Sequence, residues 1–241
     1  MPFEIIPVLD QMKSLYTIPK GEKRFQQYLQ MLQGEEKADM ILPIGGFNPM
    51  GNELVKEKLD ELLKFEPEKK AQFAIEQVPN LYTAFELKIG FAINLTDDVG
   101  GSWSHYSSAD YENKFNMESL FKRGFSVAHF WTGETYDDNL IDRRISEQLL
   151  RTIYWSDHGK PNTLADHVQQ EHFIQMHFKS PAPEGSPENA VTFLKKHASS
   201  TDYNVIFNFF YGDDASEVLG YQTYGMSEIS GFDFIKFHLS S

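Results

Sequence analysis

Between Asn94 and Glu134 the chain gathers Asp97, Asp98, Trp103, His105, Asp110, His129 and Glu134. Carboxylates and imidazoles are the side chains that hold divalent cations or pass protons near neutral pH, so their convergence would make a metal or acid–base site. The adjacent Gly100-Gly101-Ser102-Trp103 permits unusual backbone angles beside a large aromatic, a composition found in the walls of ligand pockets. Ser102 with His105 raises serine hydrolysis, but residues 100 to 104 read Gly-Gly-Ser-Trp-Ser and lack the Gly-x-Ser-x-Gly elbow.

Two other motifs call for the same scrutiny. His167 and Glu171 stand four apart on a helical pattern, a spacing that can hold a metal but more commonly makes a surface pair. His167 and His172 are five apart, about 140° around a helix, whereas the zinc-protease motifs place their histidines four apart. Gly46-Phe47-Asn48-Pro49-Met50-Gly51 has the glycine spacing of a phosphate loop ahead of a helix, but Asn52 and Glu53 replace its lysine and hydroxyl. A glutamate there repels phosphate, so a glycine-rich turn is the better reading.

The elements that must position these residues follow from periodicity. Apolar residues at helical spacing predict helices over 7–16, 22–33, 52–65 and 67–78, with Gly34 as a C-terminal cap and Pro67 at a first helical position. Residues 40–44 are a short apolar run that suits a strand. From Ala84 to Leu95 the odd positions are apolar and the even ones small or polar, which predicts a strand with one buried face. Gly124 to Thr132 repeats the pattern and sets His129 between Val127 and Trp131, as a core histidine bonded to backbone or a carboxylate would sit. Thr135 with Asp138, and Thr163 with Asp166, open two further helices, and Ser186-Pro187-Glu188 opens a third. Alternation at Tyr203, Val205, Phe207, Phe209 and Tyr211, a break at Gly212, and apolar runs over 218–224 and 232–239 predict a C-terminal antiparallel meander. The expected fold is therefore a single α+β domain: a mostly antiparallel sheet of about five strands, with helices packed against it.

Composition limits the function classes. The 241-residue chain carries a formal charge of -13, from 35 acidic and 22 basic residues, which argues against nucleic acid or an anionic membrane as the main partner. It has no cysteine, so disulfides, thiolate metal sites and cysteine nucleophiles are excluded. The first residues lack a signal-peptide pattern and no apolar run is long enough to span a bilayer, which leads to the expectation of a cytoplasmic protein. No cofactor is indicated.

Asn94-Leu95-Thr96-Asp97, Arg123-Gly124, Phe130-Trp131-Thr132-Gly133-Glu134, Ile153-Tyr154, His158-Gly159, Pro161 and Thr163-Leu164 together resemble a bacterial family of proteins with no assigned activity. The resemblance covers the middle third of the chain and implies no catalytic residues. The residues themselves favour small-ligand or partner binding through the 97–110 loop. A metal-dependent hydrolase built on the loop carboxylates and histidines, and a structural subunit of an assembly, are the alternatives.

Overall fold

The computed structural model of the protein describes residues 3–34, 39–77, 88–99, 105–178 and 183–240. Two compact units emerge, Met1–Ile153 and Tyr154–Ser241. In order, the first holds β1 (Phe3–Ile5), α1 (Leu9–Leu15), α2 (Glu22–Gln33), α3 (Glu53–Leu63), α4 (Pro67–Gln77), β2 (Ile89–Thr96), α5 (Tyr106–Phe115), α6 (Glu118–Lys122), β3 (Phe125–Trp131) and most of α7 (Asp138–His158). The second holds the last turn of α7, then α8 (Leu164–Gln175), α9 (Glu188–His197), α10 (Tyr203–Val218) and α11 (Gly231–Ser240). Among the described residues no helix is long and apolar enough to cross a membrane.

The expected five-stranded antiparallel sheet is not what forms. The first unit has a three-stranded sheet in the order β1-β2-β3, and both pairings are parallel. Parallel neighbours need crossovers, which helices supply, and those helices bury both faces of the central strand. Every residue of β2 is accordingly buried, including Gly90, Ala92, Asn94 and Thr96 on the face that alternation marks as polar. Ala84 to Leu87, expected as the start of this strand, lie outside the described residues. Residues 40–44 form bends rather than a strand, and 106–115, expected within a loop, are helical.

The helices at the N-terminal end match their sequence signals closely. The 22–33 helix ends at Gly34, whose φ of 74° is a left-handed value that glycine accepts without strain. Asn52 caps α3 by accepting from the Leu54 N–H at 3.0 Å, while Val55, Leu59 and Leu62 supply its buried stripe. At α7 the capping oxygen comes from Asp137, which accepts from the Leu140 N–H at 2.7 Å, and not from Thr135.

In the second unit the expected meander does not form: 203–218 and 231–240 are helical, and 219–224 is a turn followed by irregular chain. Ile206 and Phe210 at even positions are buried along with Val205, Phe207 and Phe209, so apolar residues lie on more than one side of the segment. A run apolar at both periods fits a wholly buried helix as well as a strand, and here it is long enough to be a helix. Gly212, expected to break a strand, instead kinks α10 with φ 84°. Phe232, Phe234 and Ile235 belong to α11, where Phe234 packs edge-on to Phe209. The Thr163–Asp166 capping box that opens α8 forms as expected.

Candidate functional site

In a parallel pair the residues in register share a face, so the pairing of Asn94 with His129 and of Thr96 with Trp131 puts four side chains together at the carboxyl end of the sheet. Open parallel sheets commonly bind ligands at that end. Thr96 Oγ1 lies 3.1 Å from His129 Nδ1. The Asn94 amide is fully buried, and among the described residues neither its oxygen nor its nitrogen has a hydrogen-bond partner. Gly46 closes over the group: a Cβ there would stand 2.9 Å from Thr96 Oγ1, 3.2 Å from Asn94 Nδ2 and 3.4 Å from His129 Cε1. The glycine loop therefore serves close backbone approach to the sheet. The Tyr106 ring meets Trp131 edge-on at 5.0 Å, covering the same face from α5.

The aspartates after β2 hold this end in shape. Asp97 is buried and accepts from Asn48 Nδ2 at 2.9 Å, and Asp98 accepts from the Gly133 N–H at 2.8 Å. The Thr132 hydroxyl lies within 3.1 Å of both carboxylates and accepts from the Asp98 N–H. One network thus ties the glycine loop, the end of β2 and the turn after β3. Glu134 makes a two-point ion pair with Arg144, at 2.5 and 2.7 Å, and accepts from the Trp131 N–H. Asp110 is buried and paired with Lys114 at 2.6 Å. Each acid singled out from sequence has a partner inside the fold.

His129 is only half-buried by surface area, but its ring lies deep enough that burial pushes its pKa down to about 4. Arg144 reinforces the shift and Asp110 opposes it. The imidazole is neutral at pH 7, with one ring nitrogen engaged by Thr96.

Beside β3 lies a cavity of about 220 Å³, whose wall includes His129. Met117, Leu120, Phe121, Phe125 and Val127 are its apolar lining. Asn113, Asn116, Ser126, Gln148 and Thr152 line it as neutral polar groups, and among the described residues Glu112 is the one formal charge of the lining. Gln148 Nε2 donates to Ser126 Oγ at 3.3 Å, and Ser126 Oγ lies 2.6 Å from Thr152 Oγ1, so this polar wall is held in place by its own bonds.

The structure brings His129 and Asp110 near one another and sets Asp97 beside Asp98, but His105 is exposed at the cap of α5. Trp103 lies outside the described residues. His167 and Glu171 are not a surface pair: both are buried in the second unit, where Glu171 accepts from Gln170 Nε2 at 3.0 Å and burial pushes His167 down to about 4. Among the described residues no group of three or more His, Asp or Glu side chains is disposed to hold a metal ion. Sequence reasoning missed Asn94, Asn48, Thr132, Arg144 and Gln148. The signal for Asn94 was its place on the polar side of a central strand. Nothing local marks Gln148, which lies on the helix stripe facing the sheet.

Comparison with protein-family models, with curated proteins and with solved structures found no match.

Proposed function

We propose that the first unit is a binding module for a small, uncharged organic molecule, held in the cavity beside β3. The observation that carries this reading is the lining itself, apolar side chains together with neutral polar groups held by their own hydrogen bonds, which is the usual make-up of a small-molecule site. The neutral His129 and the single carboxylate of Glu112 favour a ligand without an anionic group. The stretch from Asp97 to Asp110 bears on binding through the helix it enters, since Glu112 and Asn113 of α5 and Asn116 at its C-cap line the cavity, whereas its acids serve the fold. The resemblance to a bacterial family adds no residue roles to this reading.

Ligand-observed NMR screening of neutral fragments tests it with the wild type and with Leu120→Trp, which fills the cavity from its rim. The expected result is a set of fragments that bind the wild type, shift the Gln148 side-chain amide and lose their binding in the variant. Fragments that bind both proteins equally would show the cavity to be idle.

A further inference from the structure

Hydrogen bonding along β3 divides its backbone into two rows. The Gly90 N–H donates to the Gly124 carbonyl and the Thr132 N–H to the Thr96 carbonyl, which bracket the ladder at its two ends. Even-numbered residues of β3 therefore bond to β2, and the odd-numbered ones turn their N–H and C=O to the outer edge. The outer edge is occupied toward its carboxyl end: Arg144 donates to the His129 carbonyl at 3.2 Å, the Trp131 N–H reaches Glu134, and the Tyr136 hydroxyl donates to the Trp131 carbonyl at 2.6 Å. Nearer its start the edge is open. Among the described residues nothing bonds to the outward N–H or C=O of Val127, nor to the N–H of His129. Val127 is buried, and both residues line the cavity. Unpaired backbone groups are rare in a protein interior, because desolvating them without a partner is unfavourable.

We infer that the cavity recognises its ligand through this open strand edge, and that the ligand carries a peptide-like secondary amide. This rests on the cavity being a ligand site at all. A single residue in extended form presents an N–H and a C=O on one side, which match the C=O and N–H of Val127 as a fourth strand would. The helices α5, α6 and α7 contribute the rest of the lining, and 220 Å³ falls below the usual 300–1,000 Å³ of such sites, so the space suits about one residue rather than a long strand. Met117, Leu120, Phe121 and Phe125 would receive an aliphatic side chain. The occupant this fits is a capped or modified apolar amino acid, taken up with no bond made or broken.

N-acetyl-leucine N-methylamide tests the inference against its isosteric depsipeptide, in which an ester oxygen replaces the leucine N–H. Titration of each is followed by the backbone amide shifts of Val127 and His129 and by hydrogen exchange at Val127. The amide should bind at least tenfold more tightly, move both shifts and slow exchange at Val127. Val127→Pro removes the outward N–H at an edge position that tolerates proline, and should cost a similar factor. If that variant does not fold, exchange at Val127 in the wild type carries the decision. Equal binding of the two probes, or binding without protection of Val127, overturns the strand-edge recognition and leaves the cavity reading standing. Binding of neither probe, together with no fragment sensitive to Leu120→Trp, overturns both.

Discussion

Among the described residues two asparagines are fully buried, and they differ in what surrounds them. Asn208, in α10 of the second unit, donates from Nδ2 to Asp213 Oδ1 and to Ser216 Oγ, both at 2.9 Å, while its Oδ1 has no partner among the described residues. Asp213 also accepts from the Tyr224 and Gly225 N–H groups, and Ser216 donates to the Gly212 carbonyl, so Asn208 is the hub that holds the kink at Gly212. Asn94, at the carboxyl end of β2, has neither donor nor acceptor engaged, although Thr96 and His129 lie alongside. A polar group inside a network that specifies a bend is structural. Asn94 has no such network and stands next to a neutral histidine that lines a cavity.

That contrast can be broken or sharpened by substitution. The largest effect is expected at the kink, where Gly212→Ala adds a Cβ to a residue at φ 84° and places it 2.9 Å from the Met226 carbonyl. Left-handed strain plus the clash should cost roughly 3 kcal/mol, read as faster hydrogen exchange throughout 203–218. A change below about 1 kcal/mol would mean the kink is slack.

A pH effect of similar size is expected at His129. Its pKa is about 4 in the folded protein against 6.5 for the ordinary group, so between those values the unfolded chain binds the extra proton. The stabilising effect of the neutral ring is complete above about pH 6.5 and is lost as pH falls toward 4, a span worth on the order of 3 kcal/mol. Denaturant titrations at pH 7 and pH 4.5 should show a smaller pH dependence in His129→Gln, and an unchanged slope would place the ring in a solvated setting.

Asn208→Leu should cost about 2 kcal/mol, because Asp213 and Ser216 lose a buried donor. The smallest effect belongs to Asn94→Leu, which removes a buried amide without orphaning any partner. Its stability should stay within about 1 kcal/mol of the wild type or rise, since an apolar group of similar shape no longer leaves polar atoms unmatched. A loss as large as that of Asn208→Leu would make the two asparagines alike and Asn94 structural.

Local signals in the chain were legible where one element decides its own ends. The 22–33 helix and its glycine cap and the Thr163–Asp166 capping box follow from interactions within a few residues, and each forms. The strand character of β2 and β3 was legible for the same reason, but not the direction of their pairing, which depends on what the chain does between them. The C-terminal segments misled because their apolar residues, Val205, Ile206, Phe207, Phe209 and Phe210 in α10, satisfy both the helical and the extended period. The acids of the 94–134 stretch were visible as residue types, but the fold brings Asn48, Thr132 and Arg144 to Asp97, Asp98 and Glu134, whereas Lys114 stands one helical turn from Asp110 on α5.

By itself, then, the sequence determined the absence of thiol chemistry, the strongly acidic balance, the N-terminal helices and the two apolar strands, because these depend on composition and on neighbours along the chain. The tertiary structure decided that the sheet is parallel, that Asp97, Asp98, Asp110 and Glu134 brace the fold, and that His129 is neutral beside a cavity. Those properties arise from burial and, the Asp110–Lys114 and Glu134–Arg144 pairs apart, from partners tens of residues away, which no local pattern encodes.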